Sequence, residues 1–131
     1  HAEGGGAYAT LDSAMPAYVA TWKNLGLDFY QFHYYPWMDF GGAPGSGLPT
    51  YVSLNLDKPA VVSEFQTVTN SYASGDTTPL SAQWYLDTIY RYGYAGTLAW
   101  SYRAGDAVSN WNAFKPIFSA WAHTYAAYVG P

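Results

Sequence analysis

Hydrophobic and polar positions along the chain change between a period of two and a period near 3.6, which predicts strands and helices in succession. Three short runs rich in aromatic and β-branched residues predict strands. They are Leu27–His33, Ala60–Phe65 and Gly96–Tyr102. Within the second run, Ala60, Val61 and Val62 are apolar in a row, which is typical of a strand covered on both faces in a parallel sheet.

Apolar residues at helical spacing predict three helices between these strands and after them. The predicted helices are Ser13–Leu25 with Gly26 as C-cap, Thr78–Tyr92 with Thr78-Pro79 as its start and Gly93 as its end, and Ala113–Val129 with Pro116 in its first turn. The segment Tyr34–Thr50 has six glycines and prolines among its last ten residues, so it is predicted to be a long loop. Loops of that length are uncommon unless they are functional.

This order of elements predicts an α/β protein with a parallel sheet, because strands that alternate with helices pair in parallel through crossover connections. Residues 1–131 are expected to form a single domain of three to four βα units. Residues 1–12 are expected to be a glycine-rich flexible arm, with one short strand at Ala7–Leu11 as an option. Two architectures remain open. One is a partial (half) TIM barrel, since a whole (β/α)8 barrel needs about 250 residues, and the other is a small doubly wound sheet.

Composition and charge narrow the classes of function. The absence of cysteine excludes disulfide frameworks, thiolate zinc sites and a cysteine nucleophile. Nine acids against five bases give a net charge of −4 and argue against a nucleic-acid partner. The five bases are scattered: Lys23, Lys58, Arg91, Arg103 and Lys115.

Three further expectations follow from what the sequence lacks and from what it is rich in. No apolar run is long enough for a membrane span and no signal peptide is visible, so no membrane partner is predicted. Aspartate and histidine do not recur at metal-ligand spacing, so neither a metal nor another cofactor is predicted. With 11% charged and 20% aromatic residues, the chain suits an uncharged polar ligand such as a sugar, although a tyrosine-rich core has the same composition.

Candidate chemistry lies where the three predicted strands end. Glu64 comes near the carboxyl end of an apolar strand, which is the end where parallel α/β folds build their active sites. With a period of two, His33 and Tyr35 project to the same side of the preceding strand. Trp100, near the end of the third strand, is a candidate stacking surface for a sugar ring. Taken one at a time, His33, Tyr35 and Trp100 are more typical of core residues than of a site.

Together these strand ends resemble the C-terminal part of the clan A glycoside hydrolases, nearest the family 5 cellulases and mannanases. His33-Tyr34-Tyr35 resembles the His-x-Tyr that ends the sixth barrel strand. The sequence from Lys58 to Phe65 resembles the Lys-Pro-hydrophobic-Glu strand that carries the nucleophile on strand seven. Gly96–Tyr102 resembles strand eight with its sugar-stacking tryptophan, and the whole match spans roughly Leu27–Tyr102.

The resemblance implies a role for each matching residue. Glu64 would be the nucleophile that attacks the anomeric carbon, Tyr35 would donate a hydrogen bond to Glu64, and His33 would contact the sugar. Trp100 would form the floor of a sugar subsite. Weaker candidates for substrate contacts lie in the loops after the strands: Trp37, Asp39, Arg103 and Asp106.

The second carboxyl group of such an enzyme is missing from the pattern. Retaining hydrolysis uses two carboxyl groups about 5–5.5 Å apart, and the family takes its acid/base from an Asn-Glu pair at the end of strand four. This chain has no Asn-Glu pair and is expected to begin near strand five. Since general acid catalysis contributes about 10²–10⁴-fold, the isolated chain is expected to be a poor hydrolase. Three sources of the acid remain open: a complementary barrel half, a second copy in a homodimer, or Glu3 as a surrogate.

The resemblance therefore implies a hydrolase-like protein that acts on β-linked oligo- or polysaccharide, glucan or mannan. The usual substrates of the family imply an extracellular, secreted location. Two alternatives stay open. One is a non-catalytic carbohydrate-binding or assembly module that keeps Trp100, Trp37 and Tyr35 as a platform, and the other is an inactive fragment of a cellulase-like enzyme.

Overall fold

The structure, a computed structural model, is a small mixed α/β fold and describes residues 20–23, 25–39, 43–68, 80–103 and 106–127. Three strands are formed: β1 (Tyr30–His33), β2 (Ala60–Glu64) and β3 (Gly96–Thr97). The helices are α1 (Tyr51–Leu54), α2 (Ala82–Arg91) and α3 (Trp111–Thr124), with a 3-10 turn at Pro36–Asp39. Residues 20–22 are also helical. The expected arm 1–12, the strand Ala7–Leu11 and most of the helix from Ser13 lie outside the described residues.

The sheet is parallel, in the order β1-β2-β3. Tyr30 lies opposite Ala60, and a register shift after Phe32 brings His33 opposite Glu64. Beyond β3 the chain stays beside β2, because an isolated parallel bridge joins Gln66 and Trp100. Since all three strands run in the same direction, their carboxyl ends meet at one edge of the sheet.

One face of the sheet packs against α2 and α3 and forms the core. Phe65, which is fully buried, lies 5.6 Å from the ring of Tyr85 in α2 and 5.7 Å from that of Phe114 in α3. Ala60 and Val62 are fully buried in the same layer. Burying a side chain such as Phe65 stabilises the fold by about 1.5–3 kcal/mol.

The other face of the sheet is less covered in the part of the chain that the structure describes. Val61 and Ser63 are half-buried, and Leu98 is 64% exposed. The apolar run of β2 predicted a strand covered on both faces, and this prediction is correct only for the face that packs on the helices.

Several predicted boundaries differ from the observed ones. The first strand begins at Tyr30 rather than Leu27, and β3 ends at Thr97 although the bridge at Trp100 continues its direction. The helix predicted to end at Leu25 has its last helical residue at Trp22, while Gly26 does adopt a positive φ of 68°. Gly93, with φ 83°, follows the end of α2 as predicted.

Side-chain caps explain where α2 and α3 begin. Ser81, not Thr78, caps α2, because its hydroxyl accepts a hydrogen bond from the Trp84 N–H at 3.2 Å. Asn110 caps α3 by accepting from the Ala113 N–H at 3.1 Å. The helix α3 therefore begins two residues earlier than predicted, and Pro116 lies in its second turn rather than its first.

The segment predicted to be a long loop contains ordered local structure. Its first part forms the 3-10 turn Pro36–Asp39. At its end, Thr50 caps the short helix α1, which the sequence analysis did not predict, by accepting a hydrogen bond from the Ser53 N–H at 3.2 Å. None of the helices in the described ranges has the length and apolar character that crossing a bilayer requires.

Candidate functional site

Glu64 lies at the end of the central strand, with two partners from the end of β1. The Tyr35 hydroxyl donates to Glu64 Oε2 at 3.1 Å, and His33 Nδ1 lies 3.2 Å from the same oxygen. The register shift after Phe32 sets His33 opposite Glu64, and the period of two brings Tyr35 to the same side. The structure therefore contains the contact between Tyr35 and Glu64 that the resemblance implies.

The two oxygens of the Glu64 carboxylate differ. Both partners use Oε2, so Oε1 accepts no hydrogen bond from the residues that the structure describes. The side chains of His33 and Glu64 are 29% and 27% exposed, so solvent or a ligand reaches the pair. The arrangement holds one carboxylate oxygen in place and leaves the other without a hydrogen-bond partner among the described residues.

Tyr35 is suited to remain a proton donor at this position. Burial, together with the negative charge of Glu64, raises the pKa of the Tyr35 phenol above its ordinary value. Its ring stacks on Trp37 with centroids 4.3 Å apart and planes within 8° of parallel. The phenol is therefore protonated over the physiological range and is held from two sides, by the carboxylate and by the indole.

Trp37 lies in the 3-10 turn and is 39% exposed, so part of its ring meets solvent beside the site. Aromatic faces of this kind stack on the apolar faces of sugar rings. This placement is compatible with the predicted substrate contact of Trp37.

Asp39, from the same turn, points inward instead. It is only 7% exposed, and it accepts hydrogen bonds from the Tyr34 hydroxyl at 2.8 Å, the Gly45 N–H at 3.0 Å and the Gly47 N–H at 2.6 Å. A Cβ atom at Gly47 would overlap the Met38 carbonyl, so the close approach requires glycine. The expectation that Asp39 contacts substrate at the rim is wrong, because its carboxylate fixes the loop between β1 and α1 from within.

Trp100 lies beside the end of β2, half-buried, and its indole edge is held by Asp106. The Trp100 Nε1–H donates to Asp106 Oδ2 at 2.9 Å, and the Val108 N–H donates to Asp106 Oδ1 at 3.0 Å. The bond from the indole holds the pKa of Asp106 below its ordinary value. The peptide bond Trp100–Ser101 is cis.

Thr67 joins this segment to the end of β2, a role that no sequence pattern indicates. Its hydroxyl donates to the Trp100 carbonyl at 3.1 Å and accepts from the Asn110 N–H at 2.7 Å. Its own N–H donates to the Val108 carbonyl at 2.9 Å. A lone threonine after a strand has no pattern that distinguishes it, so only the structure reveals this link.

The remaining predicted residues are not part of this cluster. Arg103 is exposed on the loop after Trp100, and it makes no hydrogen bond or ion pair within the described ranges. Glu3 lies outside the described residues. Among the described side chains, no group of three or more His, Asp and Glu residues is placed to hold a metal ion.

Comparisons with protein-family models, with curated proteins and with solved structures find no match to this chain. The fold and the site therefore define a small α/β protein with a parallel sheet. At the carboxyl end of that sheet, Glu64, His33 and Tyr35 form one cluster with aromatic rings beside it. A carboxylate with one oxygen held and the other open can act as a nucleophile, as a base, or as a hydrogen-bond acceptor for a ligand hydroxyl.

Proposed function

We propose that this chain is half of a TIM-barrel glycoside hydrolase of the cellulase and mannanase type, which acts on β-linked glucan or mannan with Glu64 as nucleophile. The observation that carries the proposal is the Glu64 carboxylate, with Tyr35 and His33 on Oε2 and no described partner on Oε1. Two aromatic side chains are suited to sugar contacts: Trp37, which stacks on Tyr35, and Trp100, whose segment pairs with Gln66 just after β2. Such substrates lie outside cells, so the proposal includes secretion.

The chemistry needs one carboxylate to attack and a second group to protonate the leaving oxygen. Glu64 Oε1 attacks the anomeric carbon, the bond to the leaving oxygen breaks, and a glycosyl ester forms. The hydrogen bond from Tyr35 keeps Oε2 out of the reaction, which favours attack through Oε1. Water then hydrolyses the ester and restores the carboxylate.

Neither of the two carboxylates in the loops that follow β1 and β3, Asp39 and Asp106, is placed to donate this proton. Asp39 is buried with three donors, and both oxygens of Asp106 already accept hydrogen bonds. A complementary barrel half, a second copy of the chain or Glu3 would supply the acid. A parallel sheet in sequential strand order, with one face less covered, is compatible with a half barrel that is completed by such a partner.

An activated 2-deoxy-2-fluoro-β-glycoside tests the nucleophile without the missing acid. Its dinitrophenolate leaving group departs without protonation, and the fluorine slows hydrolysis of the ester that forms. The glucoside and the mannoside would each be incubated with the chain, and the adduct located by peptide mass spectrometry. We expect the adduct on the peptide that contains Glu64, and none in Glu64→Gln.

Two controls make the result specific. Asp57→Asn changes an exposed carboxylate on the loop before β2, at the opposite end of that strand, and should label as the wild type does. Tyr35→Phe removes the hydrogen bond to Oε2 and should label more slowly. An adduct on another residue, or equal labelling of Glu64→Gln, would contradict the assignment of the nucleophile.

A carbohydrate-binding module is the second candidate, and the stacked pair of Tyr35 and Trp37 favours it. A half-exposed tryptophan supported by a parallel ring can bind a sugar without any chemistry. Titration with β-linked oligosaccharides, followed by tryptophan fluorescence, separates the two. Binding without adduct or turnover supports the module, whereas neither binding nor adduct indicates an inactive fragment.

A further inference from the structure

We infer that Asp106 is a positioning residue, which fixes the plane of the Trp100 indole at the site and does not supply the missing carboxyl group. The inference rests on the proposed function in one respect: it takes Trp100 to be a sugar-binding surface. The hydrogen bond itself is independent of that function.

A hydrogen bond joins the side chains of Trp100 and Asp106. An indole has a single N–H donor, and in Trp100 this donor meets Asp106 Oδ2 at 2.9 Å. A tryptophan held only by its backbone can rotate about two side-chain bonds. A fixed N–H direction removes most of that freedom, so the ring face stays oriented before a ligand arrives.

The segment that carries Asp106 is itself held in place by hydrogen bonds. The Val108 N–H donates to Asp106 Oδ1, and Ser109 adds hydrogen bonds to the same carboxylate. Thr67 ties Trp100, Val108 and Asn110 to the end of β2. The carboxylate is thus fixed relative to the strand that carries Glu64, and its hydrogen bond fixes the indole relative to the same strand.

The surroundings of Asp106 do not suit a proton donor. A general acid must be protonated before reaction, but the donors around Asp106 stabilise its charged form and lower its pKa. With its two oxygens engaged by the indole and by the backbone, Asp106 has neither a proton to give nor a free oxygen directed at substrate. Asp106 therefore suits the role of a hydrogen-bond acceptor that holds the Trp100 indole, and it does not suit the role of a general acid.

The indole N–H resonances in a nitrogen–proton correlation spectrum test the hydrogen bond between Trp100 and Asp106 directly. Trp100→Phe assigns the Trp100 signal among the six tryptophans. We expect Asp106→Ala to shift that signal toward the position of an indole bonded to water, and Asp106→Asn to shift it less, because the amide oxygen still accepts. The retained dispersion of the other signals shows that each variant is folded.

The chain offers a matched control in Trp121, whose indole donates to Asp87 Oδ1 at 2.9 Å between α3 and α2. Asp87→Ala should shift the Trp121 signal and leave that of Trp100 in place. An unmoved Trp100 signal in Asp106→Ala would overturn the inference that Asp106 holds the indole.

Oligosaccharide titration of the same variants tests whether the hydrogen bond from Trp100 to Asp106 supports sugar binding. We expect Asp106→Ala to weaken binding about threefold or more, within the range of a lost aromatic stacking contact, and Asp87→Ala to leave binding unchanged. A displaced indole with unchanged affinity would overturn the positioning role while the proposed function stands. If the wild type neither binds sugar nor forms the adduct on Glu64, the proposed function fails, and the spectra alone decide whether Asp106 holds Trp100.

Discussion

Asp39 and Asp57 each accept a hydrogen bond from a tyrosine hydroxyl, but the two carboxylates differ in their access to water. Tyr34 donates to Asp39 at 2.8 Å inside the core, and Tyr30 donates to Asp57 at 2.7 Å. Asp39 is 7% exposed, whereas Asp57 is an exposed residue. When an exposed acceptor is removed, water replaces it, but a buried donor that loses its partner keeps the full desolvation cost.

Asp39→Ala is therefore expected to lower the free energy of unfolding by about 2 kcal/mol or more, since the Tyr34 hydroxyl and the Gly47 N–H lose their acceptor. Asp57→Ala should cost less than about 1 kcal/mol. Urea denaturation of both variants, followed by circular dichroism, measures the difference. Equal losses in the two variants would show that burial of the Asp39 carboxylate does not set its contribution.

At the residue scale, the cluster around Glu64 could be predicted and the network around Asp39 could not. His33, Tyr35 and Glu64 lie at strand ends, where the period of two and the parallel order bring side chains together. The partners of Asp39 are backbone N–H groups of Gly45 and Gly47, and their positions depend on a loop path that has no periodicity. A carboxylate in a turn looks the same in sequence whether it faces a ligand or the core.

At the scale of elements, the existence and order of the strands and helices could be predicted better than the residues at which they begin and end. The three predicted strands and the two later helices are present, but the start of α2 had two competing signals. Thr78-Pro79 and Ser81 both precede the apolar helical pattern, and both are favourable starts. In the structure the Ser81 hydroxyl accepts a hydrogen bond from the Trp84 N–H, so the later of the two possible starts is the one that is used.

This choice of cap predicts the effect of three substitutions. Ser81→Ala should lower the free energy of unfolding by about 1 kcal/mol, because the Trp84 N–H loses its acceptor, and Ser81→Asp should retain the wild-type value. Thr78→Ala should cost little, since α2 begins after Ser81. Thermal and urea unfolding of the three variants test this choice, and the reverse order, with Thr78→Ala the costly change, would place the cap at Thr78.

At the scale of the whole molecule, tyrosine serves as a core residue. Tyr30, Tyr34, Tyr85 and Tyr94 are all less than 9% exposed, and their rings fill the layer between sheet and helices. Three of their hydroxyls donate to acceptors: Tyr30 to Asp57, Tyr34 to Asp39, and Tyr94 to the Pro49 carbonyl at 2.7 Å. The buried hydroxyl of Tyr85 has no hydrogen-bond partner among the described residues. With few charged residues, the chain depends on these neutral phenols for both apolar area and hydrogen bonds.

Stability should consequently fall at alkaline pH. Burial raises the pKa of Tyr30 from 10.0 to about 12, and it raises the pKa values of Tyr34, Tyr35, Tyr85 and Tyr94 further. Above pH 10 the folded state therefore binds more protons than the unfolded state, so the free energy of unfolding decreases as pH rises. These phenols make their full contribution to the free energy of unfolding below pH 10. That contribution is lost as the pH rises from 10 through their pKa values in the folded state.

Urea midpoints measured from neutral pH upward should decline steeply beyond pH 10, with tyrosinate absorbance from the buried phenols appearing together with the loss of circular dichroism. Tyr94→Phe, which removes one of these phenols, should decline less steeply, and a fold that persists after all its tyrosines have ionised would contradict the role given to the buried phenols.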